Sequence, residues 1–133
     1  MESPITISKG TRRTAYVLSW FAIAFLLFDS IVHIMAIEAV IKSSGELGYP
    51  LESIQTLGYI ELLCVILYAI PKTSVMGAVL LTGYLGGAIS TQIRIGAPLF
   101  STALFPIYVG LLIWGGLYLR DWKLRNMIPV RQD

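Results

Sequence analysis

Four long apolar runs, separated by short polar segments, dominate the hydropathy pattern of the chain. A hydrocarbon layer of ~30 Å takes about 20 helical residues to cross, and lipid offers no partner for unpaired backbone groups, so runs of this length must be helices. Pro71 ends the second run because proline cannot donate a helical hydrogen bond. We therefore predict four transmembrane helices, over residues 14–41, 54–70, 74–93 and 103–119.

The composition agrees with a membrane protein. Of the 133 residues, 56% are hydrophobic and 14% are charged, whereas soluble domains carry about 25% charged residues. The four runs leave no room for a second domain outside the bilayer, so we interpret residues 1–133 as one membrane domain, an all-α four-helix bundle. The first run exceeds the ~7–15 apolar residues of a signal peptide and has no convincing cleavage site, so we expect it to be retained.

The basic residues lie mainly on one side of the predicted bundle. By the positive-inside rule, this bias predicts cytoplasmic N- and C-termini, and outward-facing loops at residues 42–53 and 94–102. With a net charge of only +2, the chain gives no indication of nucleic-acid binding. We expect a multi-pass protein of the cell membrane. The basic residues on the termini side are Lys9, Arg12, Arg13, Lys72, Arg120, Lys123, Arg125 and Arg131, against Lys42 and Arg94 on the other.

Three ionisable residues inside the predicted spans are the candidate catalytic group. Asp29 and His33 lie four residues apart, so they share one face of the first helix. At ~1.5 Å per residue, His33 lies roughly 12 Å below the outer end of its helix and Glu61 about 10 Å below that of the second, so they could meet at one depth. An ionisable group at the bilayer centre costs at least ~2.5–3.5 kcal/mol, so we expect all three to face inward and pair.

Further polar residues predict a pocket around this group. Thr91 and Gln92 lie higher on the third helix, Arg94 marks its outer end, and Tyr108 enters from the fourth helix. We take these four residues as candidate substrate-binding positions. The pocket would open toward the outer side, and we expect the inner half of the bundle to be mostly apolar.

Several chemistries can be weighed from the residue types. A single histidine excludes bis-histidine haem ligation within one chain, and a closed zinc site of Cys and His ligands cannot be assembled. A metal ion between Asp29, His33 and Glu61 is conceivable, but we expect none, because a proton relay uses carboxylates beside an imidazole more economically. The structural alternative, that the three only tie helices together at about 0.6 kcal/mol per hydrogen bond, stays open.

The third predicted helix carries small residues at Gly83, Gly86, Gly87 and Ser90. Such a pattern lets another helix approach closely. We expect it to pack tightly inside the bundle, in preference to forming the face of a homodimer.

Several stretches resemble the DoxX-like family. They are residues 57–63 (Leu-Gly-Tyr-Ile-Glu-Leu-Leu), 70–73 (Ile-Pro-Lys-Thr), 84–94, 105–106 (Phe-Pro) and 114–120. The resemblance implies a four-helix membrane bundle. The family name comes from a small subunit of a thiosulfate:quinone oxidoreductase, relatives are linked with membrane redox complexes, and eukaryotic cousins look like receptor-assembly factors.

Two functions therefore remain open. The first is a small membrane subunit or enzyme in which Glu61 and His33 handle protons, Asp29 orients His33, and a lipophilic molecule such as a quinone occupies the pocket. The second is a non-catalytic factor that assembles or stabilises a larger membrane complex, with another membrane protein or a second copy as its partner. A small transporter is a weaker interpretation, because four helices would need a dimer to enclose a pathway and no inverted repeat is visible.

Overall fold

Helices account for most of the chain that the structure describes. The computed structural model describes residues 6–131, in which no strand is found, so the predicted all-α fold is confirmed. Short turns of a different helical pitch, Pro71–Thr73 and Leu99–Ala103, precede two of the helices. The α-helices are α1 (Lys9–Ile34), α2 (Glu38–Glu46), α3 (Leu51–Ala69), α4 (Ser74–Arg94), α5 (Phe105–Arg120) and α6 (Trp122–Met127).

Four segments of this chain are long and apolar enough to cross a bilayer. In each, only about a third or less of the most apolar stretch is buried inside the protein. Large side chains are left outside, such as Phe21 and Phe28, which are 65% and 66% exposed. A continuous apolar exterior of this kind suits lipid and not water, and the predicted four-helix membrane fold is confirmed. The segments are Lys9–Ile34, Leu51–Ala69, Pro71–Arg94 and Leu99–Arg120.

The first span ends earlier than predicted. We expected one helix over residues 14–41, but α1 ends at Ile34, Ala36 adopts a left-handed φ of 50°, and the chain restarts as α2. The Gln55 side chain donates to the Ile34 carbonyl at 3.1 Å, which satisfies a group that the helix end leaves unpaired. Hydropathy does not register this break because the residues on both sides of it are mostly apolar. His33 consequently lies in the last turn of α1 and not 12 Å below its end.

The four spanning helices form an antiparallel ring. α1 packs against α3 and α5, and α4 completes the ring by packing against the same two helices. The diagonal pairs, α1 with α4 and α3 with α5, make little contact. Space therefore remains in the centre of the ring at the end covered by α2, which we call the α2 end. The opposite end, with the turn at Pro71–Thr73, is the α6 end. The largest core side chains include Leu26, Tyr68, Leu81 and Ile113.

Glycines set how closely neighbouring helices approach. A β-carbon would come closer than 3.0 Å to an atom of the adjacent helix at Gly58 between α1 and α3, at Gly77 between α3 and α4, and at Gly116 between α1 and α5. Close backbone approach is what small residues provide in membrane bundles, where dispersion contacts drive helix association.

The small residues of α4 do not play the packing role that we expected. A β-carbon built at Gly83, Gly86 or Gly87 meets no heavy atom within 4 Å, so no other helix of the described chain presses on this face. That prediction is wrong: Gly83 and Gly87 line a cavity in the centre of the ring, and Gly86 lines a groove on its outside.

Short polar contacts close the turn between α3 and α4. Ser74 Oγ donates to the Tyr68 carbonyl and Thr73 Oγ1 to the Leu67 carbonyl, both at 2.7 Å. These bonds satisfy carbonyls at the end of α3 that have no partner within the helix. The two helices can therefore reverse direction over Pro71–Thr73 and pack side by side.

Candidate functional site

Asp29 and His33 lie on successive turns at the α2 end of α1. His33 Nδ1 is 2.7 Å from the backbone oxygen of Asp29 and 3.5 Å from its carboxylate Oδ2. Because a carbonyl oxygen can only accept, Nδ1 carries the hydrogen. In the neutral ring Nε2 is then the acceptor, so the backbone carbonyl of residue 29 selects one tautomer of His33.

Glu61 reaches the same level from α3. Gly58, one turn before it, lies against α1 beside His33, and this close approach brings the Glu61 carboxyl group to α1. One nitrogen of His33 and one carboxylate oxygen each of Asp29 and Glu61 lie within 4.8 Å of one another. The structure therefore brings the three candidate catalytic residues together.

The Glu61 carboxyl group is only partly satisfied by the protein. Glu61 is 1% exposed, and its Oε2 accepts a long hydrogen bond of 3.3 Å from the Tyr84 hydroxyl. Its Oε1 is buried and has no hydrogen-bond partner among residues 6–131. Leaving a buried acceptor unpaired costs about 1–3 kcal/mol, so this oxygen is available to a partner from outside the chain.

A cavity of about 390 Å³ lies in the centre of the ring at the α2 end. Its volume is at the small end of the range for small-molecule sites. Polar groups converge on part of the wall and apolar side chains form the rest, so the cavity suits an amphipathic occupant. The polar lining residues are Asp29, His33, Ser44, Tyr49, Glu61, Tyr84, Thr91 and Gln92, and the apolar ones include Phe25, Leu26, Leu57, Leu85, Phe105 and Val109.

Residues 35–50, the segment between α1 and α3, cover this cavity, and we call this segment the roof. Thr91 Oγ1 donates to the Gly87 carbonyl at 2.9 Å, so it accepts the hydrogen bond of 2.9 Å from the Tyr49 hydroxyl. Arg94 Nη2 donates to the Leu47 carbonyl at 2.6 Å. Both bonds tie the roof to the end of α4.

The trio of Asp29, His33 and Glu61 supports two kinds of chemistry. Two carboxylates and an imidazole could hold a divalent cation, or they could pass protons to and from a bound molecule. Within residues 6–131 the trio contributes three ligand atoms, and the Tyr84 hydroxyl donates to one oxygen of Glu61. Both a divalent cation and a hydrogen-bonding organic ligand fit this arrangement of side chains.

A family model described as the DoxX-like family matches residues 17–116. The chain belongs to the DoxX-like family. The matched region contains most of the four spans together with Asp29, His33 and Glu61. No curated protein and no solved structure gives a significant match.

In this DoxX-like protein two of the four candidate substrate-binding residues line the cavity, Thr91 and Gln92. Arg94 and Tyr108 do not line it. Arg94 is the last residue of α4 and holds the roof instead. Tyr108 is 46% exposed on the outer face of α5, where its hydroxyl donates to the Phe100 carbonyl at 2.9 Å.

Two tyrosines that line the DoxX-like cavity, Tyr49 and Tyr84, are not among the predicted site residues. Tyr84 lies two turns before Thr91 on α4, and this spacing on one helix face was a usable signal. Tyr49 lies in the connection before α3 and reaches the cavity only because the roof folds back over it. No periodicity indicates such a position.

The α6 end of the DoxX-like bundle is more polar than expected. We predicted a mostly apolar inner half, but Ser19, Tyr68 and Arg120 form a hydrogen-bonded chain there. Ser19 and Tyr68 are 2% and 0% exposed. Single serine and tyrosine residues change the mean hydropathy of an apolar run little, so the hydropathy pattern does not indicate these polar positions.

Proposed function

We propose that this DoxX-like chain is a small membrane subunit or enzyme that binds a lipophilic molecule with a polar head, of the quinone class, in the cavity at the α2 end. Glu61 and His33 exchange protons with the head, and Asp29 orients His33, whose Nδ1 bonds to the Asp29 backbone carbonyl. Electrons come from another component of a membrane redox system.

The observation that carries the proposal is the unpaired oxygen of Glu61. Buried polar atoms nearly always have a hydrogen-bond partner, and Oε1 has none among residues 6–131. A quinol hydroxyl can donate to this oxygen, and a protonated Glu61 can donate to a quinone carbonyl. Either bond would give Glu61 Oε1 the partner that it lacks among the described residues.

The remaining walls support a lipophilic occupant. Phe25, Leu26 and Val109 place apolar surface beside the polar trio, and a flat ring with an apolar tail gains burial there while its oxygens face Glu61 and His33. With both chain ends cytoplasmic, as the basic residues predict, the cavity lies toward the outer side of the membrane.

Two adjacent glycines of α4 test the binding step. Gly87 lines the cavity, Gly86 lines a groove on the outer surface between α4 and α5, and a β-carbon has open space at either position. Gly87→Leu fills the cavity and should abolish the thermal stabilisation of the purified protein by a short-chain ubiquinone. Gly86→Leu is the matched control and should keep it. Equal quinone binding by both variants would rule out this cavity as the site.

A second pair of variants tests proton handling. Glu61→Gln keeps the size and hydrogen-bonding capacity of the side chain but cannot exchange a proton, so quinone-linked electron transfer should fall by about 10²-fold or more. His33→Ala should lower it as well. Glu52→Gln, an exposed change on the same helix, is the control. If correctly inserted Glu61→Gln transfers electrons at the wild-type rate, the proposed role is wrong.

One observation favours the rival function of an assembly factor. The groove between α4 and α5, lined by Gly86, Gly110 and Trp114, has a volume of about 310 Å³ and is almost wholly apolar. A transmembrane helix of a partner subunit could pack there through small-residue contacts. This rival predicts that Gly86→Leu abolishes the phenotype of the host while Gly87→Leu and Glu61→Gln preserve it, which is the reverse of the first proposal.

A further inference from the structure

The α6 end of the bundle holds a buried hydrogen-bonded chain that the proposed function does not use. The Tyr68 hydroxyl donates to the Ile113 carbonyl at 2.8 Å, and it lies 2.9 Å from Ser19 Oγ. Because the only hydroxyl hydrogen of Tyr68 goes to Ile113, Ser19 donates to Tyr68. Ser19 Oγ in turn accepts from Arg120 Nη1 at 2.7 Å.

This row of hydrogen bonds fixes the Arg120 guanidinium at the membrane boundary. The group also lies over the Tyr16 ring, 5.1 Å from its centroid, where the face of the ring attracts a cation. One nitrogen is used by Ser19, and the fork of donors keeps further N–H groups for an outside acceptor. Arg120 is therefore preorganised and not fully used.

A second cavity, of about 400 Å³, opens beside Arg120. Arg12 contributes another guanidinium, Trp20 and Trp122 lie at the walls, and Ile23 and Leu117 supply apolar surface. Tryptophan prefers the interface between headgroups and acyl chains. The cavity thus combines cationic donors with an apolar wall at the depth where lipid headgroups lie.

The charges in this cavity favour an anion. Within residues 6–131, neither Arg12 nor Arg120 forms an ion pair with a carboxylate. Asp121 is the single acidic residue of the lining, and its Oδ1 accepts from the backbone N–H groups of Lys123 and Leu124 at 3.0 and 3.2 Å, where it caps α6. The lining of the cavity therefore contains two guanidinium groups and one carboxylate, and that carboxylate already accepts hydrogen bonds from the backbone of α6.

We propose that this second cavity binds the phosphate headgroup of an anionic phospholipid, with Arg12 and Arg120 on the phosphate and an acyl chain along Ile23 and Leu117. Basic pockets between transmembrane helices on the cytoplasmic side bind anionic headgroups in this way. Free phosphate could bind the same two arginines, but unlike a phospholipid it has no acyl chain to cover the apolar wall of Ile23 and Leu117. The bound lipid would join the ends of α1 and α5, independently of the quinone-class ligand.

Tryptophan quenching by brominated lipids tests this site. The chain has three tryptophans, and Trp114→Phe leaves only Trp20 and Trp122, which line the cavity. In phosphatidylcholine vesicles, brominated phosphatidylglycerol should quench these two at several-fold lower mole fraction than brominated phosphatidylcholine. Arg12→Gln should reduce that preference about fivefold, because this is the contribution of one basic residue to the affinity for an anionic surface. Arg13→Gln, the same charge change at the neighbouring position outside the cavity, should leave it unchanged.

Three results would overturn the proposal. Equal quenching by the two brominated lipids would exclude a selective headgroup site. An equal loss of preference in Arg13→Gln and Arg12→Gln would assign it to diffuse surface charge. Displacement of the quenching lipid by tens of millimolar inorganic phosphate would make free anion the ligand. Arg120→Lys keeps the positive charge but loses the planar set of guanidinium donors, so part of the preference for brominated phosphatidylglycerol should remain. Arg12 is exposed, so Arg12→Gln still tests the site if the Arg120 variants fail to fold.

Discussion

Gly58 of α3 lies directly against His33 of α1, so that a β-carbon at position 58 would stand 2.9 Å from the His33 Cβ. This contact sets the separation of the two helices at the level of the cavity. Glu61 lies one turn along α3 from Gly58, and Asp29 one turn along α1 from His33, in antiparallel helices. The missing side chain at Gly58 therefore allows α1 and α3 to approach closely at the level of the ionisable trio.

Gly58→Ala should push α1 and α3 apart. The added methyl group also meets the Ile34 backbone nitrogen at 2.9 Å, and overpacking of this kind costs about 1–3 kcal/mol. Unfolding in mixed detergent micelles with increasing dodecyl sulfate measures the loss. The control is Gly86→Ala, where the space is open and the better helix propensity of alanine should be neutral or stabilising by up to about 1 kcal/mol. Equal stability of the two variants would contradict the role of Gly58.

The Tyr84 hydroxyl and the Glu61 carboxyl group should be energetically coupled. Tyr84→Phe removes the one donor that the described chain gives to Glu61, at a cost of about 1–3 kcal/mol for an unpaired buried acceptor. Glu61→Leu in the Tyr84→Phe background removes the acceptor too and should recover stability. A double-mutant cycle by the same unfolding measurement should give a coupling of at least ~0.5 kcal/mol. Strict additivity would mean that the 3.3 Å hydrogen bond contributes nothing.

The buried hydroxyl of Tyr68 should stabilise the α6 end. Tyr68→Phe leaves the ring in place but deprives the Ile113 carbonyl of a donor and Ser19 of an acceptor. We expect a loss of about 0.5–1.5 kcal/mol in the free energy of unfolding. Tyr59→Phe, at a position that is 60% exposed on the same helix, should have no effect. Equal losses in the two variants would assign the effect to something other than these hydrogen bonds.

Arg94 should hold the roof of the cavity closed. Arg94→Gln removes the 2.6 Å hydrogen bond to the Leu47 carbonyl, so amide hydrogen exchange around α2 and residues 47–49 should become faster while α3 and α4 stay protected. Ligand exchange from the cavity should also accelerate. The control is Lys42→Gln on the exposed face of α2. Unchanged exchange in Arg94→Gln would show that the Tyr49 contact alone fixes the roof.

The basic residues predict the membrane orientation, and cysteine labelling can test it. The native Cys64 is buried, so background labelling should be low. In intact cells, a membrane-impermeant maleimide should label Ser43→Cys in α2 and should reach Lys72→Cys, in the turn after α3, only after lysis. The opposite pattern would reverse the predicted topology and place the two cavities in exchanged leaflets. Residues 1–5 and 132–133 lie outside the described residues, so the labels are placed within 6–131.

The spans and the ionisable trio followed from single-residue energetics. Because lipid leaves helices as the only solution for a long apolar run, four runs mean four helices. A charge in that setting must turn inward, which predicted that Asp29, His33 and Glu61 face the interior. Both inferences depend on the transfer energy of a residue and not on its neighbours, so no tertiary information was needed.

Tertiary structure decided everything that depends on a partner surface. The Gln55 side chain from another helix caps the end of α1 at Ile34. The helices meet at Gly58, Gly77 and Gly116, whereas a β-carbon at the more obvious glycines of α4 would meet open space. Spacing along a helix tells which residues share a face, but the rotation of that face about the helix axis is set by packing against the other helices. For that physical reason Thr91 reaches the cavity, whereas Tyr108 does not.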